Sequence, residues 1–145
     1  MKENMAMEKT LEAVHLDEIM QVALTVSNLE EAKAFYRDVL GMRFLFDAGT
    51  MAFFQCGTAR LLIGTGDPAA AVPTAPGGGT ILYFRVSDLG AVHAALKERG
   101  VAFTQEPHLV ARMKSHDLWL AFLRDPAGNT LGLMSELPRT EGREN

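Results

Sequence analysis

The sequence predicts an α+β fold. One βαβββ module is used twice, and the uncovered face of the sheets curls into a trough. Three observations lead there. The stretch from Ile19 to Gly41 reads as a strand, a helix cap, a helix and a glycine stop. Its signature returns sixty positions on (26 to 86): Val26, Ser27 and Leu29 recur as Val86, Ser87 and Leu89, and Asn28 recurs as Asp88. After each helix come short β-prone runs separated by turn residues. Two such halves give about eight strands and two helices. The helices cover one face, and every second strand residue lines the other.

Ile19 to Val26 is the first strand, apolar almost throughout apart from Gln21 and Thr25, which suggests burial on both faces. Asn28 caps the helix, and Glu31 stands where a capping-box partner belongs. Leu29, Ala32, Phe35, Tyr36, Val39 and Leu40 fall at spacings of three and four and form one apolar stripe. Three strands follow, Arg43–Phe46, Met51–Gln55 and Arg60–Ile63, with Gly49, Gly57, Gly64 and Gly66 marking the turns. Residues 65–79, rich in Pro, Gly and Ala, are a linker between modules at 17–64 and 80–136.

The second module opens with a strand over Thr80–Val86. Its helix is capped by Asp88, carries Leu89, Val92, Ala95 and Leu96 on one face, and stops at Gly100. His93 falls off that stripe and is expected in solvent. Val101–Thr104, His108–Met113 and His116–Leu123 read as strands. Asp125-Pro-Ala-Gly-Asn129 is a turn, and Thr130–Met134 is the last strand. Residues 1–16 are an N-terminal arm, and 137–145 a polar tail that frays.

At 145 residues the chain has the size of one domain. A net charge of −4, with Lys and Arg scattered, argues against a nucleic-acid partner. No stretch approaches the roughly 18 apolar residues of a membrane span. The start lacks an apolar core and carries Glu3 and Glu8, so no secretory signal is expected. Cys56 is the only cysteine, which fits a reducing cytoplasm and reads as a small apolar strand-end residue rather than a nucleophile.

The repeated Val-Ser-Asn/Asp-Leu cap, Phe35-Tyr36-Arg-Asp-Val-Leu-Gly41 and Phe122-Leu-Arg-Asp-Pro-Ala-Gly-Asn129 resemble the vicinal oxygen chelate superfamily. That group includes glyoxalase I, the extradiol dioxygenases, methylmalonyl-CoA epimerase and the bleomycin-resistance proteins. The resemblance spans about residues 17–136. It implies paired modules in a half-open barrel, usually in a homodimer, with metal ligands on the trough face in the first and last strand of each module. Carried onto this chain, those positions are Gln21 and Ile81 in the first strands, and Leu62 and Gly132 in the last. A divalent ion of the Fe, Mn, Ni or Zn kind wants three or four N or O ligands. One amide, two branched alkyl groups and a hydrogen do not provide them. The expectation is no metal and no cofactor. The alternative is a divalent metal at a relocated site.

Gln21 has two readings: a satisfied polar residue in the sheet, or the group that orients a ligand in an apolar trough. His116, beside Asp117, is a polar strand start or a base. Arg85 shares the parity of Tyr83 and Ile81, and reaches either an anionic ligand or a surface carboxylate. Phe53, Tyr83, Met113, Trp119 and Met134 are candidate trough walls. Glu136 shares the parity of Gly132 but is expected to lie past the trough. Three functions follow as expectations. The first is a protein that binds a small organic molecule in the trough without a catalytic metal. The second is a metal-dependent lyase, isomerase or dioxygenase of the family. The third is an interaction module whose trough is plugged by its own side chains and so shows no cavity.

Overall fold

The two repeated caps behave alike. Asn28 Oδ1 accepts from the Glu31 backbone N–H at 3.0 Å, and Asp88 Oδ1 accepts from that of Ala91 at 3.0 Å. Each satisfies a backbone donor that the first helical turn would otherwise leave open. In this computed structural model, residues 13–66 and 79–138 are described. The first module runs β1 (Gln21–Thr25), α1 (Leu29–Ala34), β2 (Arg43–Ala48), β3 (Met51–Cys56) and β4 (Ala59–Gly64). A wider π turn over Phe35–Val39 continues α1, with the Leu40 N–H donating to Phe35 O. The second module runs β5 (Leu82–Arg85), α2 (Leu89–Glu98), β6 (Phe103–Arg112), β7 (His116–Arg124) and β8 (Thr130–Pro138).

The repeat is also a repeat of topology. The sheets have the orders β1-β4-β3-β2 and β5-β8-β7-β6. The outer pairs β1/β4 and β5/β8 are parallel and the rest antiparallel. Alternation assigns the faces. Ala52, Phe54, Leu61 and Ile63 in the first sheet, and Ala121, Leu123, Leu131 and Leu133 in the second, are buried beneath the helices. Together with Val26, Ala32, Tyr36, Leu89 and Leu96 they form one core across both modules. That core is pinned where the two family-like segments meet: the buried Tyr36 hydroxyl donates to Asp125 Oδ2 at 2.8 Å.

Several expectations change. β1 is exposed on one face, where Gln21, Ala23 and Thr25 stand, and half-buried only at Val22 and Leu24. It is the edge of its sheet, and no helix covers that face. The segments read separately as Val101–Thr104 and His108–Met113 are one strand, β6. Pro107 is tolerated because β6 is an edge strand with an irregular register between Gln105 and His108. β8 runs four residues past Met134, so Leu137 and Pro138 belong to it. His93 is half-buried, edge-on to Phe103, with its Nε2 against the Glu106 carboxylate. The linker at 65–79 falls almost wholly outside the described residues, as do most of the arm and of the tail. Among the described residues no helix is long and apolar enough to cross a membrane.

Candidate functional site

The faces away from the helices are built in rows. In the first sheet, Ala23, Leu62, Phe53 and Phe46 lie side by side. Phe46 and Phe53 stack with ring centroids 4.5 Å apart, and Phe46 remains 46% exposed. The neighbouring row is polar, with Gln21 beside Arg60, then Gln55 and Arg43. Gln21 is exposed and has no hydrogen-bond partner among the described residues.

In the second sheet the row Tyr83, Gly132 and Phe122 forms an aromatic floor. The Tyr83 ring meets Phe122 edge-on at 5.7 Å. It lies so close over Gly132 that a Cβ there would stand 2.6 Å from Tyr83 Cδ1. The next row brings Arg85 beside Met134 and Leu120, and beyond it Glu136 lies opposite Leu118.

Against these rows lies a cavity of about 460 Å³ lined by Tyr83, Arg85, Val86, Ser87, His116, Met134 and Glu136. Its size falls within the ~300–1,000 Å³ of small-ligand sites. His116 is the first residue of β7, directly after the β6–β7 turn, and it borders the space. The His116 Nδ1 is held by the Ser115 hydroxyl at 2.7 Å. The lining therefore combines an aromatic ring and a thioether with a guanidinium, an imidazole and a carboxylate. Such a site can bury an apolar body and hold polar groups at its ends.

Of the eleven trough candidates, Tyr83, Arg85, His116 and Met134 come together in this cavity. Gly132 lies beneath the Tyr83 ring. Gln21, Phe53 and Leu62 sit on the other sheet. Ile81 precedes β5 and is partly exposed, and Met113 is in the β6–β7 turn, where its backbone N–H donates to His116 O at 2.7 Å. Trp119 is on the opposite face: it pairs with Ser135 and packs against the helix-covered core. There it borders a second cavity of about 460 Å³ beside the start of α2, with Asp88, Leu89 and Ser135. Trp119 stands three residues from His116, an odd step that puts the two on opposite faces.

Glu136 is the lining residue that the sequence reading excluded. The alternation Leu131, Leu133, Ser135 on the helix face and Gly132, Met134, Glu136 on the trough face continues through it.

The four inherited ligand positions do not fit a divalent ion. Gln21 and Leu62 offer one amide, Ile81 offers alkyl, and the space above Gly132 holds the Tyr83 ring. Among the described residues, no three His, Cys, Asp or Glu side chains group so as to hold a metal.

Comparison with known proteins agrees with the fold. The lactoylglutathione lyase of Agrobacterium tumefaciens is 24% identical, with a TM-score of 0.66 over 83% of this chain and 94% of that one. TnmS3, an antibiotic binding protein from Streptomyces sp. CB03234, is 25% identical, with a TM-score of 0.65 over 85% of this chain and 98% of that one. A virulence protein of Salmonella typhimurium is 22% identical, with a TM-score of 0.67 over 84% and 98%. No curated protein matches. The profile of the Glyoxalase/Bleomycin resistance protein/Dioxygenase superfamily matches residues 18–133. With the twice-used βαβββ module in place, the chain belongs to that superfamily.

Proposed function

We propose that this protein binds a small organic molecule in the trough of its second module, without a catalytic divalent metal. The observation that carries this is the cavity itself: apolar Tyr83 and Met134 stand beside the polar ends of Arg85, His116 and Glu136. Convergent polar groups on an apolar wall are the signature of a ligand site. A trough plugged by its own side chains would leave no such space. The similarity to an antibiotic binding protein supports binding as the role. The lyase-like reading draws support from the similarity to a lactoylglutathione lyase, but it needs ligands that Gln21, Leu62, Ile81 and Gly132 do not supply. The exposed Phe46, Tyr83 and Ile81 favour a homodimer in which a second chain covers part of the trough.

A neutral fluorophore, N-phenyl-1-naphthylamine, tests the reading in the presence of a chelator. Saturable binding that Met134→Lys abolishes supports it. Absence of saturable binding by the fluorophore and by charged single-ring aromatics alike, or binding that survives Met134→Lys, overturns it.

A further inference from the structure

We infer that the trough cavity selects aromatic zwitterions, single-ring compounds with a carboxylate at one end and an ammonium at the other, and that Arg85 and Glu136 determine this specificity. The inference rests on the binding reading above and gives it a ligand class.

Arg85 and Glu136 both line the cavity and both are exposed. Arg85 lies opposite Met134 in the β5/β8 register, and Glu136 follows two residues later on the same face of β8. Two residues of strand rise and one strand spacing put their Cα atoms about 8 Å apart. Among the described residues neither has an ion-pair partner, although opposite charges stand that near on one face. Between and beside them are the Met134 side chain and the Tyr83 ring, the latter backed by Phe122.

A ring fits that apolar centre. A carboxylate on it meets a guanidinium, whose planar fork matches two carboxylate oxygens. An ammonium across the ring meets the Glu136 carboxylate. A ligand with only one charge would bury the apolar wall but leave either Arg85 or Glu136 partly desolvated without a partner, which costs affinity.

Calorimetric titration with four probes on one ring tests this: 4-(aminomethyl)benzoate, its methyl ester, 4-methylbenzoate and 4-methylbenzyl alcohol. The zwitterion is expected to bind about tenfold or more tighter than either singly charged probe, the worth of one hydrogen bond to a charged group. Arg85→Gln should bring the zwitterion down to the level of the cationic ester. Glu136→Gln should bring it down to the level of 4-methylbenzoate. A wild-type protein that does not rank the zwitterion first, or variants that keep the wild-type ranking, overturn the inference. Neutral-fluorophore binding separates the two levels: if it persists while the charged probes are not discriminated, the zwitterion inference falls and the binding reading stands. If neither the fluorophore nor any probe binds, both fall.

Discussion

The ring of Tyr83 lies across Gly132, so close that a Cβ at that position would meet Cδ1 at 2.6 Å and Cε1 at 2.9 Å. Gly132 is where the superfamily resemblance places a last-strand metal ligand. Here the missing side chain is instead what lets an aromatic ring settle on the sheet and form the cavity floor with Phe122. Gly132→Ala should therefore destabilise the protein by about 1–3 kcal/mol, the usual cost of overpacking. Most of that cost should vanish in a Tyr83→Ala background. Urea unfolding of the two single variants and the double variant measures the coupling.

The Tyr36–Asp125 hydrogen bond joins the two segments that carry the family resemblance. The buried Asp125 carboxylate also accepts from Asn129 Nδ2 and from the backbone N–H groups of Ala127 and Asn129. Tyr36→Phe leaves the ring in place and removes one donor to a charged acceptor, which should cost about 1.5–3 kcal/mol in denaturant unfolding.

The same pair predicts a pH dependence. Burial first, and then the Asp125 carboxylate, holds the Tyr36 hydroxyl well above the ordinary tyrosine pKa. A folded-state pKa raised above the unfolded value gives stability that is complete below the unfolded pKa and lost as pH rises above it. The loss should begin near pH 10, the ordinary tyrosine value, at up to about 1.4 kcal/mol per pH unit. The stability difference between wild type and Tyr36→Phe, followed by urea unfolding at alkaline pH, should shrink with that slope. A difference that stays constant across this range would contradict the assignment.

Phe53 and Phe54 are neighbours in β3 with opposite fates. Phe54 is fully buried under α1 and touches Tyr36 and Phe44, whereas Phe53 is half-buried on the trough face, stacked on Phe46. Phe54→Ala should cost about 3–5 kcal/mol, as expected for a buried aromatic. Phe53→Ala should cost clearly less. Thermal unfolding of the two variants makes the comparison, and equal losses would mean that the trough face of the first sheet is covered.

Much of this was legible in the sequence because it is local and repeated. The caps at Asn28 and Asp88, the glycine stops and the Asp125–Asn129 turn depend on neighbours along the chain, and all appear as read. What was misread depends on the partner across the sheet. The last strand is expected over Thr130–Met134. In the sheet, Ser135 pairs with Trp119 and Glu136 with Leu118, so the strand continues and Glu136 enters the cavity. Val101–Thr104 and His108–Met113 are expected as two strands, but an edge strand can carry Pro107 between them. His93 looked solvent-facing because the helical stripe omits it, whereas Phe103 and Glu106 of β6 reach over to it. Trp119 was misplaced although a count of two from His116 assigns its face correctly.

We propose that the superfamily's ligand positions hold no catalytic metal in this chain, because Gln21, Leu62 and Ile81 supply one amide among them and the Tyr83 ring stands over Gly132. Elemental analysis tests it most directly. The protein would be incubated with Fe(II), Mn(II), Ni(II), Co(II) or Zn(II) salts, dialysed, and assayed beside a metal-dependent homologue. Metal far below one equivalent per chain is expected for each ion, against near one for the homologue. Retention of one equivalent of any of these ions would contradict it.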